Sequence, residues 1–125
     1  SGTLNMDAET MAFHKQSGMA AVAYSSQAGG FFNKVTPASF SDPALASSGM
    51  ARRYFNDVNR GRVERARQLA DKYGCDPNSI AVAYLLNQSF PGYAITGCRT
   101  PNQVRASCAA ADLMLNADEV TWLEG

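Results

Sequence analysis

Only two stretches of this chain have the composition and length of a β-strand, and they lie far apart: Met19 to Tyr24, and Tyr93 to Thr96. Each is a short apolar run closed by a turn, Ser25 to Gly30 in the first case and Gly97 in the second, which favours strand over helix. Strands at about 20–25 and 93–96 with helical patterns between them are the grammar of a parallel α/β sheet, its strands buried on both faces. Two parallel strands do not make a self-sufficient sheet, because their outer edges and faces need partners. The patterning therefore predicts α/β architecture with two short parallel strands and about five helices, a piece of something larger.

Punctuation places the helices. Asp7 is an N-cap with Met6 and Met11 spaced as a hydrophobic staple, and Gly18 marks the end of that first helix. Residues 31–60 lack sustained periodicity and read as a long connecting loop, with room for a short helix near Ala51 to Phe55. From Arg62 the pattern sharpens. Val63, Ala66, Ala70 and Tyr73 recur at helical spacing, Leu69 widens that face, and Gly74 stops it. Arg60, Arg62, Arg65 and Arg67 fall on the other side, where a solvated face is expected. Asp76-Pro77 restarts a helix to about Gln88 that is apolar nearly all round and so should be sandwiched between other elements. Thr100-Pro101 opens another helix, and Asn116 with Glu119 forms a capping box before the last, with Leu115 and Val120 as its staple.

Composition narrows the function classes. At 125 residues, 46% apolar and 18% charged, the chain suits one globular domain. Eleven basic residues balance eleven acidic ones, which argues against a nucleic-acid or anionic-membrane surface. The longest apolar stretch, Ile80 to Leu86, is far short of a membrane span. Cys75, Cys98 and Cys108 are odd in number and lack metal-ligand spacing, so they read as reduced thiols of a cytoplasmic protein. With a single histidine, His14, no metal site is expected. His14 and Lys15 near the end of the first helix complement its dipole.

Two segments carry chemistry. At Ile95 to Gln103 a strand ends, Gly97 allows close approach of a ligand, and a helix begins with its free N–H groups pointing back, an arrangement suited to phosphate. Arg99 adds a forked, charge-assisted donor of the kind a ribose 2′-phosphate requires. At Tyr24 to Gly30, hydroxyls, small residues and backbone N–H groups stand at the carboxyl end of the other strand, where α/β proteins gather ligands. Tyr24 offers a flat ring there for a nicotinamide. Taken singly, an ordinary strand-to-helix turn with an exposed arginine, and a glycine turn with a core tyrosine, would look the same. No G-x-G-x-x-G fingerprint is present.

Together the segments resemble the C-terminal part of the aldo-keto reductase family. The run Ala21-Val22-Ala23-Tyr24-Ser25-Ser26-Gln27-Ala28-Gly29-Gly30, a long loop, the Arg62–Gly74 helix, Ser79 to Leu86, and Ile95-Thr96-Gly97-Cys98-Arg99-Thr100-Pro101-Asn102-Gln103-Val104 follow one another in the family's order. The resemblance covers about Met6 to Leu123 and is strongest from Gly61 to Leu115. It implies a partial (β/α)8 barrel in which these strands are the seventh and eighth, residues 1–125 form one C-terminal segment, and 31–60 is a cofactor-side loop.

By the same resemblance, Tyr24 stacks on the nicotinamide of NADP(H), and Ser25, Ser26, Gln27, Ala28 and Gly29 approach the pyrophosphate. Gly97, Cys98, Arg99 and Thr100 receive the adenosine 2′-phosphate, with Gln103 nearby. Many members present Glu-Asn to the adenine where this chain has Ala106-Ser107, leaving Ser107 one contact. Cys98 stands for a usual serine, and Ser26-Gln27 for a frequent proline-leucine. These departures bear on cofactor affinity more than on fold.

The family's catalytic Asp, Tyr, Lys and His belong to early strands, and His14, Lys15 and Tyr24 fall on the wrong elements to replace them. The expectation is therefore the phosphate-binding part of an oxidoreductase that reduces aldehydes or ketones to alcohols, inactive alone and binding NADP(H) weakly or not at all. Its partners would be the N-terminal half of the barrel or other copies of this chain, with a carbonyl substrate only in the complete enzyme. The alternative is a non-catalytic nucleotide-binding or protein-interaction module derived from the barrel.

Overall fold

The computed structural model describes residues 6–125; residues 1–5 lie outside the described set. Helix α1 (Ala8–Ser17) leads into strand β1 (Ala21–Ala23), and strand β2 (Gly92–Ala94) lies beside it in parallel, pairing Ala21 with Gly92, Val22 with Tyr93 and Ala23 with Ala94. Both strands are shorter than the sequence runs, and β2 begins one residue earlier than expected. Between them come α2 (Phe31–Lys34), α3 (Pro43–Ala46), α4 (Gly49–Tyr54), α5 (Asp57–Tyr73) and α6 (Pro77–Leu86); α7 (Pro101–Ala109) and α8 (Ala117–Glu124) follow β2. Among the described residues, two parallel strands with eight α-helices fit a partial barrel, and the expected number of helices was too low.

The extra helices all lie in the segment expected to be a loop. Of its short turns, α3, α4 and the 3-10 turn at Pro37–Ser41 are capped by side chains: Asp42 accepts from Ala44 N, Ser48 from Ala51 N, and Thr36 forms a capping box with Ser39, whereas α2 follows Gly30 and has no side-chain cap. None is long enough to show amphipathic periodicity. What holds them is tertiary: Phe31, Val35 and Val63 form a core cluster with Phe32, Phe40, Met50, Tyr54 and Phe55 packed against it.

The longer helices follow their signals. Asp7 accepts from Thr10 N at 2.8 Å, and α1 ends at Gly18 with φ 67°. Helix α5 starts five residues before the sharpened pattern, because Asn56 caps it by accepting from Asn59 N. Val63, Ala66, Leu69 and Ala70 are buried as their spacing requires. Asp76, Thr100 and Asn116 cap α6, α7 and α8, the last as a complete capping box with Glu119. Leu115 and Val120 share the larger core cluster with Leu69, Ile80, Ala83 and Leu123.

One expectation fails on packing, and a second is incomplete. The arginine face of α5 is not simply solvated: only Arg60 is exposed. Arg67 donates to Val35 O through Nη2 at 2.9 Å and Nε at 3.3 Å, and Arg65 Nη2 reaches Leu123 O at 3.5 Å. Their stems cover the core while their heads bond neighbouring backbone. His14, likewise, stacks on Phe90 at 5.4 Å and donates from Nδ1 to Met19 O at 2.7 Å, so it anchors α1 as well as ending it.

The strands are also not buried on both faces. A Cβ on Gly92 would stand 2.9 Å from Leu85 O, so β2 lies directly on α6. In parallel register, Ala21, Ala23, Gly92 and Ala94 share that close-packed side, all of them small. The opposite side carries Val22, Tyr24, Tyr93 and Ile95, exposed by 55–66%. Period-2 alternation is present, but the large members of the pattern face away from the described core.

Glu119 ties α8 to α5. Its carboxylate accepts from Lys72 Nζ at 2.7 Å, Tyr73 Oη at 2.8 Å and Asn116 N at 3.0 Å. The Lys72 hydrogen bond first, then the Asn116 and Tyr73 donors, hold its carboxyl below the usual range despite burial. In the unfolded chain that group titrates near an ordinary value of about 4.3. The bound carboxylate therefore stabilises the fold above that pH, and the contribution is lost as pH falls through the lowered folded value. The urea midpoint should drop more steeply below about pH 5 in the wild type than in Glu119→Gln. Parallel pH profiles for the two would rule this out.

Candidate functional site

At the carboxyl end of β1 the chain makes a tight turn: Ala28 N donates to Ser25 O and Gly30 N to Gln27 O, both at 2.8 Å. Ser25 (φ 54°) and Ala28 (φ 47°) are held in the left-handed region, beside Gly29 and Gly30 at φ 65° and 84°. At the carboxyl end of β2, Ile95 to Thr100 leads to α7, where Thr100 Oγ1 accepts from Gln103 N at 3.3 Å. Because β1 and β2 are neighbours and parallel, the two turns emerge side by side. A cleft of about 360 Å³ lies between them.

One wall is Gln27, Gly29, Gly30, Asn33 and Lys34; the other is Gly97, Arg99, Gln103 and Ala106; Asp76, Asn78 and Ser79, at the start of α6, complete the lining. Lys34 Nζ donates to Gly29 O at 2.9 Å, and Arg99 N donates to Gln103 Oε1 at 2.7 Å. Among the described residues the one ion pair is Lys72–Glu119, so neither Lys34 nor Arg99 has a carboxylate partner. Asp76 is the only acidic residue in the lining, and its carboxylate is engaged by Ser79 N at 2.9 Å. Two unpaired cations against one capped carboxylate favour an anion.

Of the residues singled out in the sequence, Gln27, Gly29, Gly97, Arg99 and Gln103 meet in this cleft. Cys98 and Thr100 line a shallower depression beside it, together with Arg99, Val104 and Arg105. Ser26 is buried and donates from Oγ to Ile95 O at 2.6 Å, while Ala28 packs against the aromatic cluster. Ser107 accepts from Gln27 Nε2 at 2.9 Å and stands 3.5 Å from Cys98 Sγ. Ser25 is exposed, and Tyr24, at 66% exposure, lies on the open face of the sheet, outside the cleft lining.

Sequence reasoning missed Asn33, Lys34, Asp76, Asn78 and Ser79. Lys34 sat in a stretch without periodicity, where a lone lysine carries no signal. Asp76 to Ser79 gave a strong signal, but for a helix cap, and nothing local says which cleft a helix start will border. Asn33 Oδ1 accepts from Asn78 N at 2.9 Å and joins the two.

The sequence model of the Aldo/keto reductase family matches residues 4–125. The chain belongs to the aldo/keto reductase family. A comparison with curated proteins finds no match. Family membership gives an oxidoreductase-type domain, and aldo/keto reductases generally use NADP(H). Among the described residues, no helix is long and apolar enough to cross a membrane, and no group of three or more His, Cys, Asp or Glu side chains is arranged to hold a metal ion.

The donor set can be tested against that cofactor. Its phosphates need cations and backbone that can be approached closely. Arg99 and Lys34 supply the first, and Gly29 and Gly97 the second, since a Cβ at either glycine would meet nothing within 4 Å. Asn78 Oδ1 is buried at the cleft without a donor, which suits a ribose hydroxyl. The residues present fit the phosphate and ribose portions. An enclosure for the nicotinamide is not among them, because Tyr24 faces outward on an uncovered sheet.

Proposed function

We propose that this chain is the C-terminal, nucleotide-phosphate-binding part of an aldo/keto reductase barrel that, when whole, reduces aldehydes or ketones to alcohols with NADP(H). The observation that carries the reading is the convergence of the two strand-end turns, with Lys34 and Arg99, on one cleft. Arg99 would hold the 2′-phosphate, Lys34 and the Gly29–Gly30 turn the pyrophosphate, and Asn78 a ribose hydroxyl. When bound, the cofactor supplies the hydride. These residues orient it and neutralise its charge, and none of them moves a proton.

The chain alone is proposed to be inactive, since the family's catalytic Asp, Tyr, Lys and His belong to early strands of the barrel, and His14 is committed to Met19 O and Phe90 in the last turn of α1. The uncovered side of the sheet, with Val22, Tyr24, Tyr93 and Ile95, is where the rest of the barrel would pack, or failing that another copy of this chain. The free thiols Cys75, Cys98 and Cys108 agree with a reducing, cytoplasmic setting.

Titration of the 125-residue chain with NADP+ and NAD+ tests the reading. Binding is expected to be weaker than micromolar, because the binding surface would be split between this chain and the rest of the barrel, yet NADP+ should bind more tightly than NAD+. Arg99→Ala should weaken NADP+ by about ten-fold, as expected for a hydrogen bond to a charged group, and leave NAD+ unchanged. Equal affinity of the wild type for both nucleotides would overturn the assignment of Arg99. Submicromolar binding, or NADPH-dependent carbonyl reduction above the uncatalysed rate, would overturn the view of an incomplete site.

A further inference from the structure

The turn after β1 adopts a backbone that its own residues disfavour. Ser25 and Ala28 both occupy the left-handed region, where a side chain crowds the following carbonyl. Such a conformation persists only when the surroundings impose it. Here two side chains between those positions reach across to the other wall. Ser26 Oγ donates to Ile95 O at 2.6 Å, and Gln27 Nε2 donates to Ser107 Oγ at 2.9 Å, the latter spanning 80 residues of sequence. Ser26 ties the turn to the end of β2, whereas Gln27 ties it to α7. The Gln27–Ser107 bond is thus the one side-chain hydrogen bond joining the β1 turn to the helix that begins just after Arg99.

We propose that Gln27 is a positioning residue: its amide, clasped to Ser107, holds the strained turn against α7 and so sets the grip of the cleft on an anionic nucleotide. This rests on the cofactor reading above only in its last clause. The turn carries Gly29, whose carbonyl seats Lys34, so movement of the turn displaces one cation of the pair while Arg99 stays with α7. With the clasp made, both cations face one cleft. When it opens, the left-handed residues relax and the Lys34 wall moves away.

Hydrogen exchange of the Ser25–Gly30 amides in the ligand-free chain reads the clasp directly. Gln27→Ala and Ser107→Ala should each speed exchange there by roughly five-fold, the factor one ordinary hydrogen bond is worth. The double variant should show little further change, since both substitutions remove the same bond. Ser107→Thr keeps the hydroxyl and should keep the protection. Binding of NADP+ and of inorganic pyrophosphate should weaken in the two alanine variants by a similar factor, with only a modest fall in the global urea midpoint. Unchanged exchange in Gln27→Ala would overturn the clasp, and faster exchange with unaltered affinity would overturn its role in gripping the ligand. If the wild type binds neither probe, the role of the clasp in gripping a ligand is overturned for this chain, and the exchange comparison still decides whether Gln27 holds the turn.

Discussion

Phe31→Ala should cost the fold about 3–5 kcal/mol, the range for truncating a buried aromatic side chain. Phe31 is 1% exposed and sits at the centre of the aromatic cluster, its ring 5.2 Å from those of Phe32 and Tyr54 and 6.3 Å from that of Phe40. Phe40 and Tyr54 come from two other short helical segments, so collapse around the cavity would require moving both of them toward α2. Domains of this size are stable by roughly 5–15 kcal/mol, so the loss is a large share of the total. Urea denaturation should show a much lower midpoint at a similar slope. Phe13→Ala is the control: that ring is 51% exposed on α1, and its loss should stay within about 0.5 kcal/mol. A loss at Phe31 below about 1 kcal/mol would mean that the cluster does not hold the 31–55 segment. Function is linked to this packing, because α2 carries Phe31 inward and Lys34 to the cleft.

Gly92→Ala should be the next most damaging small change, at about 1–3 kcal/mol. The added methyl would meet the Leu85 carbonyl at 2.9 Å, and a backbone atom in the last turn of a packed helix cannot swing aside as a flexible side chain could. Either β2 lifts from α6 or its pairing with Ala21 is lost. Both would misplace the Ile95–Thr100 turn relative to the Ser25–Gly30 turn. The Ala21 amide, bonded to Pro91 O at 2.9 Å, should exchange faster in the variant. Gly97→Ala, with nothing within 4 Å of the new methyl, should be nearly neutral for stability. A Gly92→Ala protein as stable as the wild type would refute the close contact of strand and helix.

Legibility followed the range of each interaction. Caps act over three residues, so Asp7, Asp76, Thr100 and Asn116 could be placed from sequence and occupy those roles in the structure. The start of α5 at Asn56 was missed because Asn56 to Gly61 carries little apolar pattern until Val63 is reached. The four-residue helices α2 and α3 were missed for a related reason, whereas α4 lies close to the short helix expected near Ala51 to Phe55. A four-residue helix has no periodicity, and its stability comes from Phe31, Val35 and Val63 meeting at a distance. In the candidate site, strand-end turns and Arg99 were visible as local motifs. Lys34, Asn33 and Asn78 were not, since their relevance depends on which elements border the cleft.

The sequence by itself determined the two strands, their parallel relation, the helix boundaries at Asp7, Gly18, Gly74, Asp76, Thr100 and Asn116, and the family, because each rests on residues within a few positions of one another or on their order along the chain. Tertiary structure alone decided that the small residues of the strands face α6 and the large ones face outward, that Arg65 and Arg67 of α5 bond distant carbonyls, and that Gln27 reaches Ser107. Those outcomes depend on contacts between segments tens of residues apart, and no local pattern encodes which distant surface a side chain will meet.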